Sequence, residues 1–104
     1  MTKQYYPLFA ASELPENSNK AVTIAGKNLL ICNANGQFYV IENMCTHQRA
    51  ELTGGRIRNC FISCPLHGVR FDLRDGKPKG ELTKVPLTTY EIRVTSDGLL
   101  EVSV

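Results

Sequence analysis

Both histidines of the 104-residue chain and two of its four cysteines fall within one pattern: Cys45-Thr46-His47, sixteen further residues, then Cys64-Pro65-Leu66-His67. Thiolate is a soft donor that suits iron and sulfide, and neutral imidazole can replace it on one iron of a two-iron cluster. Spacing alone admits other metals. A structural zinc finger usually pairs its cysteines first and its histidines later, whereas here each short segment offers one of each. That arrangement suits a binuclear centre approached by two loops, each giving one ligand to each iron. An isolated loop histidine is more often a surface residue, and an isolated cysteine more often a small buried hydrophobe. The gathering of both histidines into one pattern weighs against that reading. Cys45, His47, Cys64 and His67 are therefore the candidate metal- and cofactor-binding residues. Cys32, in a predicted strand, and Cys60, just ahead of the second segment, stand at no ligand position and read as core or incidental thiols.

The elements that must position these donors read as short strands. Partial period-2 alternation, each time followed by a turn signal, predicts strands over Ala21 to Ala25, Asn28 to Asn33 and Gln37 to Glu42. Gly26-Lys27 is the first expected turn. Asn33-Ala34-Asn35-Gly36 is a hairpin signal, because Asn and Gly accept the positive φ such turns need. Leu87 to Val94 and Leu99 to Val104 flank the polar Thr95-Ser96-Asp97-Gly98 and predict a second hairpin. Ser12 to Pro15 can open one helical turn with Ser12 as its cap, and Pro15 stops it. The middle, Asn43 to Asp75, holds Gly54-Gly55, Gly68, Pro65, both histidines and three cysteines, and reads as a site built on loops.

The length fits one domain with a modest core. No run of eighteen apolar residues exists to cross a bilayer. Met1 to Ala10 shows neither a basic segment leading into an apolar one nor a twin arginine, so a cytoplasmic, reducing location is expected, with thiols or metal ligands rather than disulfides. A net charge of +2 with no basic helix or stripe argues against a nucleic-acid binder. The distribution says more: Cys45 to Lys84 carries eight basic residues against four acidic, while the remainder carries four against six. A basic docking face that meets acidic patches on a partner is one reading of this; loops merely solvated by arginine are the other.

The string Cys64-Pro65-Leu66-His67-Gly68-Val69-Arg70-Phe71-Asp72, with Ile62 before it and Asp75-Gly76, Pro86-Leu87 and Tyr90 after it, resembles the small Rieske ferredoxins of bacterial ring-hydroxylating dioxygenases. The likeness covers roughly residues 20 to 104. It implies an all-β Rieske fold: an antiparallel sandwich or barrel base, residues 1–42 and 76–104, with an inserted cluster-binding subdomain of two loops, residues 43–75. It implies one [2Fe-2S] cluster, with Cys45 and Cys64 on the inner iron and His47 and His67 on the outer. It also implies partners: a flavin-containing NAD(P)H reductase as donor and a terminal Rieske oxygenase as acceptor, with no membrane or nucleic acid involved and the carrier a monomer. The runner-up is a small Rieske subunit of another oxidoreductase, such as a nitrite-reductase type assembly. A zinc-stabilised interaction module is the third reading.

No catalytic residue is expected. A mononuclear iron oxygenase needs two further histidines and a carboxylate, and hydrolytic triads need a histidine, yet both histidines are already assigned. The departures bear on potential. Two Fe(III), two sulfides, two thiolates and two neutral imidazoles sum to zero charge, so Rieske centres span roughly −150 to +300 mV against about −400 mV for all-cysteine plant-type clusters. High-potential members carry a disulfide across the two loops and a serine donating to sulfide. This chain has Ala50 and Leu66 at the cysteine positions and Val69 at the serine position, which predicts a potential near the low end. Gly68 is the glycine expected to bring backbone N–H toward the cluster, with Gly54 and Gly55 equally well explained as turn residues. Where many members have a proline pair covering the cluster, this chain reads Gly80-Glu81-Leu82, with Pro78 nearby.

Overall fold

Leu29 to Ala34 are buried one after another, which an alternating surface strand cannot do and a strand covered on both faces must. In the computed structural model, which describes residues 4–47, 49–66 and 68–104, this run is the centre of the molecule. It forms β3 (Lys27–Ala34), paired antiparallel with β2 (Ser18–Ile24) on one side and β4 (Gln37–Glu42) on the other. Leu29 and Ile31 point into a core with Leu14, Val40, Leu100 and Val102. Leu30, Cys32 and Ala34 point the other way, into a second core with Ile41, Leu52, Ile62 and Phe71.

The wider sheet has the order β1-β10-β9-β4-β3-β2, with β1 at Tyr5–Ala10, β9 at Thr89–Val94 and β10 at Leu99–Ser103. A second antiparallel sheet contains β5 (Ile57–Arg58), β6 (Phe61–Ser63), β7 (Arg70–Asp72) and β8 (Pro78–Lys79). The expected all-β fold is what the chain adopts. No helix among the described residues is long and apolar enough to cross a membrane.

Four local expectations are corrected. The first turn lies at Ala25-Gly26, both at positive φ, so that Lys27 already pairs with Ile24. β1 was not foreseen: Pro7 lacks an N–H, and an edge strand is where a sheet tolerates that. The helical turn is a 3-10 turn over Ala11–Glu13, and the Glu13 carboxylate, rather than Ser12, accepts the Ala10 N–H at 3.2 Å. The middle of the chain is not all loop, because its strands, two or three residues long, make a real ladder.

Candidate metal centre

The two motif segments leave the ends of strands and close in the same way. After β4, the Cys45 N–H donates to the Ala50 carbonyl at 2.7 Å; after β6, the Cys64 N–H donates to the Val69 carbonyl at 2.8 Å. Each cysteine therefore opens a loop of identical span, with its histidine two or three residues on. Gly68, at φ 72, lets the second loop turn back and donates its own N–H to the Cys64 carbonyl at 2.9 Å. That hydrogen bond assigns the Gly68 N–H to loop closure.

Both cysteines are buried, at 1% and 2% exposure, in the core shared by Leu30, Leu52, Ile62 and Phe71. His47 is half-buried, and its Nδ1 atom is withdrawn from solvent. His67 lies outside the described residues. Among the described residues no three His, Cys, Asp or Glu side chains gather as they would around one ion. Two sulfur donors at the mouths of matched loops, with an imidazole beside one of them, fit a two-iron sulfide cluster. A metal also removes the cost of burying thiolate among apolar side chains. Cys32 contrasts with this: burial pushes its thiol up to about 12, and the thiol donates a long hydrogen bond to the Leu30 carbonyl, at 3.9 Å. Cys60 is half-buried in the β5–β6 turn and forms no disulfide.

Sequence reasoning missed the residues that hold the loops. Asn43, 1% exposed, accepts the N–H groups of Leu52 (2.9 Å) and Thr53 (3.1 Å) and donates to Asn28 Oδ1 (3.1 Å) and Thr53 Oγ1 (2.7 Å). It ties both stems of the first loop to the end of β3. Thr46, between the two motif donors, donates to the Val85 carbonyl at 2.7 Å and sits 3.2 Å from Thr83 Oγ1. Residues 83–85 are thereby attached to the first loop. Leu66, Leu82 and Val85 stay more than half exposed around this end. No spacing rule flags a single asparagine or threonine of this kind.

The sequence profile described as the Rieske [2Fe-2S] domain matches residues 4–91. The ferredoxin component of the naphthalene 1,2-dioxygenase system of Pseudomonas aeruginosa is 32% identical over 100 residues, 96% of each chain. A solved complex of reduced oxygenase and oxidised ferredoxin in carbazole 1,9a-dioxygenase contains a chain that matches with a TM-score of 0.88 at 30% identity, over 98% of this chain and 94% of that one. A protein described as the small subunit of an NADH-dependent nitrite reductase from Mycobacterium tuberculosis matches with a TM-score of 0.91, over 100% of this chain and 97% of that one. At 18% identity that last likeness is one of fold alone.

Proposed function

The chain belongs to the Rieske [2Fe-2S] domain family, and on that premise we propose that it is a one-electron carrier whose single cluster is held by Cys45, His47, Cys64 and His67. The observation that carries this is the matched closure of the two loops, which sets two buried sulfurs at one apolar core. When bound, a [2Fe-2S] cluster supplies a reversible one-electron iron couple. The protein's part is to hold and shield it. Cys45 and Cys64, on the core side, serve the inner iron; His47 and His67 serve the outer. Leu30, Leu52, Ile62 and Phe71 exclude water behind the sulfurs, and Thr46 holds residues 83–85 beside the histidine loop. The domain division is a base of residues 1–42 and 76–104 and a cluster-binding subdomain of residues 43–75, with β8 reaching from the base side into the small sheet.

The reading extends to partners. The donor is a flavin-containing NAD(P)H reductase and the acceptor a terminal ring-hydroxylating oxygenase. Support comes from the naphthalene-system relative and from the carbazole dioxygenase complex, in which a ferredoxin sits with its oxygenase. The carrier acts as a monomer and makes no bonds in substrate. Its potential lies toward the low end of the Rieske range, about −150 mV, since Ala50, Leu66 and Val69 offer neither a cross-loop disulfide nor a hydroxyl. Anaerobic preparation with iron and sulfide analysis, electron paramagnetic resonance and a redox titration tests the site. An iron-free, colourless protein after reconstitution overturns the carrier, and a midpoint well above zero overturns the low potential. Reconstitution with reductase and oxygenase pairs, followed by substrate-dependent oxygen uptake, tests the partners.

A further inference from the structure

The small sheet has two faces, and its register says which residues share each. Ile62 pairs with Ile57 and Phe71, and all three are buried, so they form the inward row. Their strand neighbours Arg58, Phe61, Ser63 and Arg70 point outward. Arg58 pairs with Phe61 and Ser63 with Arg70, while the Ser63 N–H donates to the Arg56 carbonyl at 2.9 Å. Arg56, Arg58, Phe61, Ser63 and Arg70 line an open concavity of about 470 Å³. Lys79, paired with Arg70 across β7 and β8, lies with its Nζ 5.0 Å from the centre of the Phe61 ring.

Three arginines thus line one hollow, with Lys79 nearby over the Phe61 ring. Asp72, the acid on these strands, is taken by Arg74 at 2.8 Å. Among the described residues, Arg56, Arg58 and Arg70 have no ion-pair partner. Like charges held together on short strands repel one another unless an anion sits between them. Guanidinium groups present planar forks that match carboxylates two bonds at a time, the Ser63 hydroxyl adds a donor, and Phe61 offers an apolar floor for a methylene stem. The hollow crosses three strands, roughly 10 Å at the usual inter-strand spacing, a span that suits several carboxylates of one segment better than one small anion.

We propose that this face is a carboxylate-binding site that docks an acidic segment of a redox partner beside the second cysteine loop, whose Cys64 directly follows Ser63. The partner's redox character rests on the carrier reading; the anion chemistry does not. The probe is dansyl-labelled hexaglutamate, followed by fluorescence anisotropy on the iron-loaded protein at low ionic strength. The triple variant Arg56→Gln, Arg58→Gln, Arg70→Gln is compared with the charge-matched Lys20→Gln, Lys27→Gln, Arg93→Gln on the wider sheet. Binding weakens about ten-fold in the first and stays near wild type in the second, the loss expected when three modest ion pairs are removed. Equal weakening in both, or no binding to wild type, overturns the site. So does displacement of the peptide by inorganic phosphate at matched ionic strength, which marks a free small-anion site instead. If the triple variant does not fold, the three single substitutions read the same comparison. Cluster absorption of each preparation separates the two ideas: an intact cluster without arginine dependence sinks the docking site alone, and an iron-free wild type sinks the carrier alone.

Discussion

The wider sheet and the small sheet hold themselves together by different means. Strands of the wider sheet run five to eight residues, and β3 is covered on both faces by apolar cores. Strands of the small sheet run two or three residues, too short for their ladders to stand alone. The small sheet leans on Leu30, Cys32 and Ala34 through Ile57, Ile62 and Phe71, and on a few single-residue links: Asn43 to Leu52 and Thr53, Gly76 to Leu87, Thr46 to Val85. The proposed cluster donors therefore sit on the part of the fold with the least secondary structure of its own, where a bound cluster would add most to order.

Removing a donor should break the comparison most sharply. Serine offers hard oxygen in place of soft sulfur, so Cys64→Ser is expected to abolish the iron-sulfur absorption outright. Hydrogen exchange by mass spectrometry should then show amides of β5 to β8 losing protection while those of β2 to β4 keep theirs. Full protection of the small sheet in the iron-free variant would show that packing alone holds it.

The single-residue links come next. Gly76 has φ 79, its N–H donates to the Asp72 carbonyl at 2.7 Å and its carbonyl accepts the Leu87 N–H at 2.8 Å; a Cβ there would run into the Leu87 carbonyl oxygen. Gly76→Ala is expected to cost about 4 kcal/mol, from left-handed strain plus a backbone displacement. Asn43→Ala leaves the Leu52 and Thr53 N–H groups without their acceptor and should cost about 3 kcal/mol. Urea unfolding gives both values. If the links matter as described, both variants also lose cluster faster than wild type when challenged with chelator, and retention at the wild-type rate would contradict that.

The contrast also explains what the sequence discloses. The wider sheet was legible where chemistry is local: partial alternation over Asn28 to Asn33, the Asn-Gly pair at Asn35-Gly36, and the polar Thr95 to Gly98 between two strands. That β3 is covered on both faces was not, since its alternation hid the burial of Cys32 and Ala34. The Cys-x-His and Cys-x-x-His pattern was legible because both histidines of the chain fall into it, although its spacing alone admits other metals. β5 to β8 were not, because a period of two needs at least four residues to be seen. Asn43 looks like any loop asparagine until the chain around it buries it, and Gly76 looks like any turn glycine until Leu87 comes against it. β1 hid behind Pro7, whose missing N–H matters only if the strand is not at an edge. For β1 the deciding partner, β10, lies at the other end of the chain.

A smaller change should strengthen the wider sheet and leave the small one untouched. Ala25 holds φ 52 in the β2–β3 turn, a conformation that alanine adopts with strain and asparagine accepts. Ala25→Asn is expected to raise stability by about 0.5 to 1 kcal/mol in urea unfolding, since relief of one strained residue is all that changes. Chelator resistance should not move with it. A slower loss of cluster in this variant would mean that the two sheets rise and fall together, contrary to the picture of a firm base and a loosely tied insert.

Acid should act on the opposite side, and least of all. The Arg74 guanidinium, helped by the Arg74 backbone N–H and opposed by partial burial, holds the Asp72 carboxyl below its ordinary value of 3.8. The folded protein then binds that proton more weakly than the unfolded chain. The stabilisation from this group is complete above the ordinary carboxylate value and drains away as pH falls through the lower, folded one. Because Asp72 lies on β7, the loss belongs to the small sheet. Carboxyl-carbon resonance titration should place the Asp72 midpoint below the ordinary aspartate value of 3.8, and Arg74→Gln should move it back up. An unmoved midpoint in that variant would leave the Asp72–Arg74 contact as geometry without energetic consequence, and β7 would then depend on Phe71 packing and the metal centre alone.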